Sequence, residues 1–298
     1  MASSSSVAPS KLSDRLSDMV ETITRAIHQR RAWTVPPQLA PTLQALGGYL
    51  AEGGDPLVAM VTLHDSPKDW LVVNLVSSTV FALKVGVNLR YGSSQLVELG
   101  TAALLHDVGL LNEEIYEAVN TDSPLDKQAM TLSRQHPLWG RELLEGQGLV
   151  DVVLNAVEQH HEQFNGQGYP HKLAGDKIHP YAMVIGLCDA YEALIHRRPY
   201  RPTRMMPAQA VRLLKESGKD SYDPIILEAF FKQFPTYPVG SFVMLSTGEF
   251  AKVVEASATD PNRPWIEIFR DDKGERPTLP KTINLTEQVD IVIKEAIG

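Results

Sequence analysis

Several histidines and aspartates of the chain lie in apolar segments, where burying unpartnered polar groups is costly. His106 and Asp107 are adjacent in "LLHDVG", and His160 and His161 are adjacent in "VEQHHE". The full set is His106, Asp107, His136, His160, His161 and Asp189. Divalent metal ions remove this cost, because imidazole and carboxylate groups suit iron, manganese and zinc. Two ions about 3.5–4 Å apart polarise a phosphodiester and activate water, so the set predicts metal-assisted hydrolysis.

Single members of the set allow simpler interpretations. A His-Asp pair often arises by chance, and His64-Asp65 is a second copy to which no role is assigned. Asp189 could be an ordinary residue of an apolar helix. Glu162 could orient a ligand histidine or lie exposed at a helix end. The other histidines are interpreted as surface or structural residues: His28, His64, His171, His179 and His196.

Helices have to position these side chains. Apolar spacing and helix-end signals predict helices over residues 12–29, 37–50, 70–89, 94–108, 127–145, 149–163, 180–196, 207–217 and 223–234. His136 then lies within a helix or at a kink caused by Pro137. After residue 238 the pattern predicts short strands on both sides of Thr247-Gly248, and further strands over 263–270 and 287–293. The fold class is therefore mainly α with a small C-terminal β appendage.

We divide the chain into three parts. Residues 1–65 are predicted to be an N-terminal helical region with a disordered start, 66–237 the domain that carries the histidines, and 238–298 the β-rich appendage. The first part is too short for a phosphoacceptor receiver domain and lacks the alternating strands and helices of that fold. The apolar stripe of its first helix suggests a docking or dimerisation element, and hence a possible homodimer.

Composition excludes several classes of protein. The chain has 298 residues, of which 43% are hydrophobic and 21% charged, as is usual for a globular protein with a sizeable core. A net charge of −8 argues against DNA binding. The single cysteine, Cys188, excludes an intrachain disulfide and favours a reducing compartment. No run approaches the ~18 apolar residues of a membrane span, and the start lacks a secretory signal, so we expect a cytoplasmic protein without a membrane partner.

The order of these motifs resembles the HD-GYP family, a branch of the HD phosphohydrolases that hydrolyses the bacterial messenger cyclic di-GMP. The resemblance runs from about Asp65 to Phe234 and rests on "ALLHDVG", "HPLWGRELL", "VEQHHEQFNGQGYP", "CDAYEAL" and "RRPYRP". The segment "YPVGSFVMLSTGEFAKVV" is similar to an extension found in many family members. The resemblance implies an HD-type helical bundle that binds two divalent ions, iron or manganese, and releases pGpG, GMP or both.

The resemblance also implies roles for particular residues. Asp107 matches the bridging, catalytic carboxylate. The ligands of one ion are matched by His106 and Asp189, and those of the other ion by His136, His160 and His161. Basic positions that contact the phosphates are matched by Arg198 and Arg201, since arginine pairs with phosphate in a bidentate manner. The signature loop is matched by Gly168, Tyr169 and Pro170.

The chain departs from the family pattern at three positions. Asn74 stands where the family has a further ligand histidine, and amide oxygen is a poorer ligand than imidazole for iron or zinc. Trp70 stands where members with a third ion have an acid. Leu110 replaces a lysine that faces the substrate phosphate, and losing such a charge lowers rates by about 10²–10³.

These departures leave two functions open. The chain could be a weakened cyclic di-GMP phosphodiesterase, or a degenerate relative that binds metal, cyclic di-GMP or a protein partner without turnover. A diguanylate cyclase that meets the Tyr169 loop, or a separate sensor or receiver protein, would be such a partner. A phosphohydrolase for another nucleotide is a third class, against which the intact "GYP" segment argues.

Overall fold

The computed structural model describes residues 9–28, 33–66, 69–237, 239–255, 257, 260, 262–277 and 281–297. The helices are α1 (Pro9–His28), α2 (Leu39–Ala51), α3 (Asp55–Leu63), α4 (Trp70–Asn88), α5 (Ser93–Leu105), α6 (Glu113–Val119), α7 (Lys127–Ser133), α8 (His136–Leu144), α9 (Asp151–Gln159), α10 (Pro180–Ile195), α11 (Pro207–Ser217) and α12 (Pro224–Gln233). The strands are β1 (Phe242–Leu245), β2 (Phe250–Glu255), β3 (Trp265–Arg270), β4 (Lys281–Asn284) and β5 (Ile293–Ile297). The prediction of a mainly α fold with a small C-terminal sheet is confirmed. The predicted disordered start, at residues 1–8, lies outside the described residues.

The chain divides into two compact units. The first comprises the residues up to Arg204 together with Gly218–Ala229, and the second comprises Met205–Ser217 together with Phe230–Gly298. All the histidines and aspartates singled out above belong to the first unit. The division at 65/66 and 237/238 stays a prediction.

Helix α4 forms the core of the first unit. Val80, Phe81 and Leu83 have no exposed surface, and the helix packs against α5 and α10. A helix that is apolar on all sides is typical of such a position. Within the described ranges, α4 is the one helix long and apolar enough to cross a membrane by length and composition, and 89% of that stretch is buried inside the protein. Asn74 lies on this helix and is likewise fully buried.

The helices around α4 begin or end at the histidines. Helix α5 ends directly before His106, α8 begins at His136, and α9 ends directly before His160. Helix α9 packs against α5, α8 and α10. Packing therefore brings together helix ends that are far apart in the sequence, and Asp189 faces them from within α10.

The apolar stripe of α1 is used inside the first unit. Leu16, Met19, Val20 and Ile23 are buried, and α1 packs against α2 and α4. The stripe that suggested a docking or dimerisation element therefore contributes to the core of its own unit. A homodimer stays a prediction.

The predicted helix over 127–145 is wrong as a single element. Residues Arg134 and Gln135 separate α7 from α8, because Pro137 in the first turn of α8 cannot donate a backbone hydrogen bond to a preceding turn. The predicted helix over 149–163 ends early, at Gln159. Helices α3 and α6 and strand β4 were not predicted.

The second unit contains a five-stranded antiparallel sheet in the order β4-β3-β2-β1-β5. Its core is formed by alternating side chains such as Val243, Leu245, Ile266 and Ile268. The predicted strand over 287–293 is wrong, since β5 begins at Ile293. The side chain of Asn284 accepts hydrogen bonds from the backbone and hydroxyl of Thr286, and such local bonds favour a turn over a strand in the residues that follow.

Candidate metal centre

Three histidines share one arrangement of the imidazole ring. In each ring Nδ1 faces the backbone carbonyl oxygen of the residue three positions earlier. The distances are 2.7 Å from His106 to Ala103, 2.6 Å from His136 to Ser133 and 2.6 Å from His160 to Val157. A carbonyl oxygen only accepts, so Nδ1 carries a proton and Nε2 is the nitrogen that faces the centre. A hydrogen bond of this kind is what orients a metal-binding histidine.

The Nε2 atoms of two of these histidines converge on one carboxylate oxygen. Asp107 Oδ1 lies 3.0 Å from His136 Nε2 and 3.5 Å from His160 Nε2, and the two nitrogens are 3.1 Å apart. Within the described part of the chain, this buried oxygen has no hydrogen-bond partner. Two imidazole nitrogens and a carboxylate oxygen at such distances are placed to bind one common cation. A divalent metal ion fits these atoms.

His161 completes this group of ligands. Its ring lies 4.2 Å from that of His160 and 4.9 Å from that of His136, measured between centroids. Ligand atoms of Asp107, His136, His160 and His161 all lie within 4.8 Å of one another. Burial lowers the pKa of His160, and it lowers the pKa of His161 well below the usual value, with help from His160. Both rings are therefore neutral at neutral pH, which is the form that binds metal.

Asp107 is held as a carboxylate. Burial by itself would raise the pKa of Asp107, but the imidazoles of His106 and His136 outweigh that effect and hold the pKa well below its usual range. Asp107 is 5% exposed. A buried carboxylate among imidazoles can serve as a ligand to more than one cation, as predicted for a bridging residue.

The remaining predicted ligands form a second group around the other oxygen of Asp107. His106 Nε2 lies 3.4 Å from Asp107 Oδ2 and 3.6 Å from Asp189 Oδ1. Burial by itself would lower the pKa of His106, but the two carboxylates outweigh it and raise the pKa well above the usual value. The structure thus brings all six predicted ligands together, in two groups that share Asp107.

Asn74 lies between the two carboxylates of this second group. Its Nδ2 donates to Asp107 Oδ2 at 3.2 Å and to Asp189 Oδ1 at 3.0 Å. Ser78 donates to the amide oxygen at 3.3 Å. The sequence predicted that this position is a degenerate ligand, and the structure presents it as a hydrogen-bond donor to the carboxylates.

The two other departures are buried side chains. Leu110 is 6% exposed and lies in a 3₁₀ turn, Val108–Leu111, directly after the His-Asp pair. Trp70 is 5% exposed, and the guanidinium of Arg198 lies 4.8 Å from the centre of its ring. Neither residue offers a charge or a metal ligand to the centre.

The predicted phosphate-binding arginines lie at the end of α10. Arg198 is buried, and its Nη2 donates to Glu192 at 2.6 Å and lies 3.7 Å from Asp189. Arg201 is partly exposed, and its backbone pairs with that of Arg198. His196, predicted to be a surface or structural residue, is buried and contacts the other oxygen of Glu192 at 2.9 Å. The role of Glu192 was not predicted, because its one sequence feature is an acid within an apolar helix, one turn before a histidine.

The signature loop packs directly on His161. Tyr169 stacks on the His161 ring with 4.7 Å between centroids and 23° between planes, and its backbone donates to the His161 carbonyl oxygen at 3.1 Å. The Tyr169-Pro170 bond is cis. Gly168 touches the backbone of residues 161–163, so a β-carbon at this position has no room. The predicted loop residues therefore lie beside the ligand histidines.

Glu162 holds the far end of this loop. It is buried, and its two carboxylate oxygens accept the backbone N–H groups of His171 at 2.6 Å and Leu173 at 2.9 Å. It is therefore neither an exposed helix-end acid nor a partner of a ligand imidazole. Its position between the double histidine and the glycine loop was the one sequence feature that could have indicated this role.

Three of the other histidines belong to neither ligand group. His64 is exposed, and His171 pairs with Glu158 at 3.0 Å on the surface. His179 caps α10 by accepting from the backbone of Tyr181. The side chain of His28 lies outside the described residues.

Two models of known protein families match the chain. The model of the HD domain matches residues 60–226, which is more than half of the chain. The chain belongs to the HD domain family. A second model, the KOW domain associated with the HD domain, matches residues 242–298.

Relatives of this HD protein carry names that fit the predicted branch. The chain is 28% identical to the cyclic di-GMP phosphodiesterase PA4108 of Pseudomonas aeruginosa over 77% of its own length and 55% of the relative's. It is 22% identical to the cyclic di-GMP phosphodiesterase PdeB of Borreliella burgdorferi over 75% and 60% of the two chains. The chain thus spans somewhat more than half of the length of these relatives.

A solved structure shares the fold. The HDG"Y"P protein Bd1817 of Bdellovibrio bacteriovorus matches with a TM-score of 0.58 and 17% identity, over 74% of this chain and 69% of that chain. This match shows that the two chains share a fold.

Proposed function

We propose that the chain is a metal-dependent phosphodiesterase that hydrolyses cyclic di-GMP to pGpG, GMP or both. One observation carries the proposal: two imidazole nitrogens and a carboxylate oxygen with no hydrogen-bond partner among the described residues face one another at 3.0–3.5 Å. That geometry is suited to a metal ion, and the relatives of the chain are named as cyclic di-GMP phosphodiesterases.

Asp107, His136, His160 and His161 would hold the ion, which we expect to be iron or manganese. When bound, such an ion polarises the scissile phosphate and provides a nucleophile from water near neutral pH. The backbone carbonyls behind His136 and His160 keep the proton on Nδ1, so the ligand nitrogens stay aimed at the centre. Asp107 remains charged, because the surrounding imidazoles hold its pKa down.

Substrate phosphates would be bound by the segment that follows α10. Arg201 is partly exposed, whereas Arg198 is buried and donates to Glu192, so Arg201 is the more available guanidinium for a bidentate phosphate contact. Arg198 lies beside it and is oriented by Glu192. Burial, with the nearby carboxylates of Asp107 and Asp189, raises the pKa of Tyr169, so its hydroxyl stays protonated and can donate a hydrogen bond to an anionic substrate.

The test is turnover of cyclic di-GMP by protein that is purified without air and loaded with Fe²⁺ or Mn²⁺. We expect pGpG or GMP to accumulate, as measured by chromatography, and the His160→Ala variant to form neither. Arg201→Ala should raise KM more than it lowers kcat, because it removes a contact to the substrate. A wild-type chain that binds metal and cyclic di-GMP but forms no product would contradict the enzymatic function.

A second candidate function is binding of cyclic di-GMP or a protein partner without turnover. Two observations favour it: Leu110 places a buried aliphatic side chain where the family has a cation, and Asn74 lacks the imidazole of the family. Titration calorimetry with cyclic di-GMP on the metal-loaded chain distinguishes the candidates, since binding without product formation is expected only for the second. A diguanylate cyclase or a separate sensor protein would then be the partner to seek at the Tyr169 loop.

A further inference from the structure

The two ligand groups around Asp107 do not offer an ion the same surroundings. In the group with His136, His160 and His161, the carboxylate oxygen Asp107 Oδ1 has no hydrogen-bond partner among the residues that the structure describes. In the group with His106 and Asp189, the facing carboxylate oxygens both accept from the amide of Asn74. In the second group, His106 Nε2 likewise has no hydrogen-bond partner in the described chain, but its carboxylate oxygens already have a donor, whereas Asp107 Oδ1 in the first group has none.

We propose that the Asn74 amide takes the place of one metal ion, so that this chain binds a single ion, at Asp107, His136, His160 and His161. The inference rests on the metal site of the proposed function and concerns how many ions that site holds. Asn74 then has a role of its own, as a hydrogen-bond donor that bridges two carboxylates.

The orientation of the amide follows from the charges around it. Nδ2 lies 3.2 Å from Asp107 Oδ2 and 3.0 Å from Asp189 Oδ1. A rotated amide would place its oxygen against the same two anionic oxygens, which is repulsive. Ser78, one turn further along α4, donates to the amide oxygen at 3.3 Å and supports the orientation that is seen. The donor therefore faces the carboxylates and the acceptor faces the helix.

An ion entering this group would have to displace the amide. The oxygens that would bind the ion are the ones that accept from Nδ2, and hydrogen bonds to carboxylates are among the stronger ones in proteins. Rotation of the amide would offer the ion one neutral oxygen in place of an imidazole, which is a poorer ligand for iron or zinc. His106 and the two carboxylates remain, but Asp107 is shared with the other group. The donor set of this group does not fit a tightly held second ion.

Neighbouring side chains also provide positive charge without a metal. Arg198 Nη2 lies 3.7 Å from Asp189 Oδ1, on the same oxygen that accepts from Asn74. Its guanidinium is fixed from two sides, by Glu192 at 2.6 Å and by the face of Trp70 at 4.8 Å. Asp189 thus has an amide and a guanidinium as partners within the protein, so its burial needs no second ion.

The number of bound ions tests the inference directly. The full-length chain is stripped with a chelator, dialysed against Mn²⁺, and measured for manganese per chain by mass spectrometry and by electron paramagnetic resonance. We expect one manganese per chain and the spectrum of an isolated ion. Two ions with an exchange-coupled spectrum would overturn the inference and leave the proposed phosphodiesterase function standing. No bound ion would overturn both.

Variants separate the two ligand groups without reference to activity. Asp189→Asn should still bind one manganese, because Asp189 is not a ligand of the retained ion; a fall in metal content would overturn the inference. Asn74→His should bind two coupled ions, whereas Asn74→Ala, which removes the amide and adds no ligand, should still bind one. A folded Asn74→His chain with one ion would show that the amide is not what excludes the second. If Asn74→His fails to fold, the wild type and Asp189→Asn decide.

Discussion

The two ligand groups that share Asp107 are made from the same residue types and differ in what surrounds them. His136 and His160 lie at helix ends, each with Nδ1 on a backbone carbonyl and Nε2 aimed at an oxygen of Asp107 without a hydrogen-bond partner in the described chain. On the other side, Asn74 reaches from the core helix α4 and donates to both carboxylates. The difference shows that ligand identity alone does not determine a metal site, because a single buried amide can meet the needs of two carboxylates.

The largest expected effect comes from removing a ligand of the His136 group. His160→Ala should abolish turnover and weaken manganese binding by at least about 100-fold, since even groups that only orient a ligand change affinity by about 10–100-fold. Equilibrium dialysis and the cyclic di-GMP assay measure both effects. His106→Ala is the matched control and should retain the single ion. Equal losses in the two variants would show that the two groups are equivalent.

The second prediction converts the weaker group toward the family pattern. The double variant Asn74→His, Leu110→Lys should raise kcat by about 10²–10³, because it restores a ligand and a cation beside the phosphate. Leu110 is 6% exposed, so the lysine will lower stability, and unfolding curves must accompany the kinetics. Leu110→Met, which conserves volume and adds no charge, is the control and should leave kcat unchanged. A folded double variant without any gain would place the limit elsewhere in the site.

A smaller effect is expected from the loop that supports the His136 group. In Gly168→Ala the added methyl group meets the backbone of residues 161–163, which should lower the free energy of unfolding by about 1–3 kcal/mol and weaken metal binding through His161. Gly48→Ala is the control, since Gly48 lies exposed in α2 with nothing near its missing β-carbon; it should stabilise the chain by about 0.5–1 kcal/mol. Denaturant unfolding compares the two, and equal effects would argue against close packing at Gly168.

The smallest effect is expected at Glu162, whose carboxylate accepts backbone hydrogen bonds at the end of the same loop. Glu162→Gln leaves one acceptor oxygen for the backbone N–H groups of His171 and Leu173, so the free energy of unfolding should fall by about 1.5 kcal/mol, the low end for a hydrogen bond to a charged group. Hydrogen exchange at these two amides should become faster. Glu158→Gln, whose partners are side chains nearer the surface, should leave that exchange unchanged. Unaltered exchange in Glu162→Gln would show that the loop is held by other contacts.

Much of the fold was predictable because it depends on local patterns. The apolar spacing that predicts α4, α5 and α10 is the spacing that buries them, and the hairpin signal at Thr247-Gly248 lies between β1 and β2. These patterns gave wrong predictions where a nearby residue favours a different local structure. Pro137 separates α7 from α8, and the side chain of Asn284 favours a turn where alternating apolar residues predicted a strand.

Part of the candidate site was likewise predictable from local sequence, and part was not. In His106, His136 and His160 the Nδ1–H group donates to the carbonyl oxygen three residues earlier. A short segment of sequence therefore determines both the type of ligand and its orientation. The clamp made by Glu162 and the pairing of Arg198 with Glu192 could not be read from spacing, since an acid next to a loop or within a helix is equally compatible with an exposed position.

The amino-acid sequence by itself determined which residues can bind metal, because imidazole and carboxylate groups are few, their motifs are short, and His106, His136 and His160 are each oriented by a carbonyl three residues earlier. Only the tertiary structure decided what those ligands face. Asn74 meets Asp107 and Asp189 across sequence separations of 33 and 115 residues, through the packing of α4 against α5 and α10. The sequence shows that an imidazole is missing at position 74, whereas the packing shows that an amide donor stands between the two carboxylates. The physical reason is that a carboxylate can bind a metal ion or accept an N–H group, and the surrounding helices decide which of them is within reach.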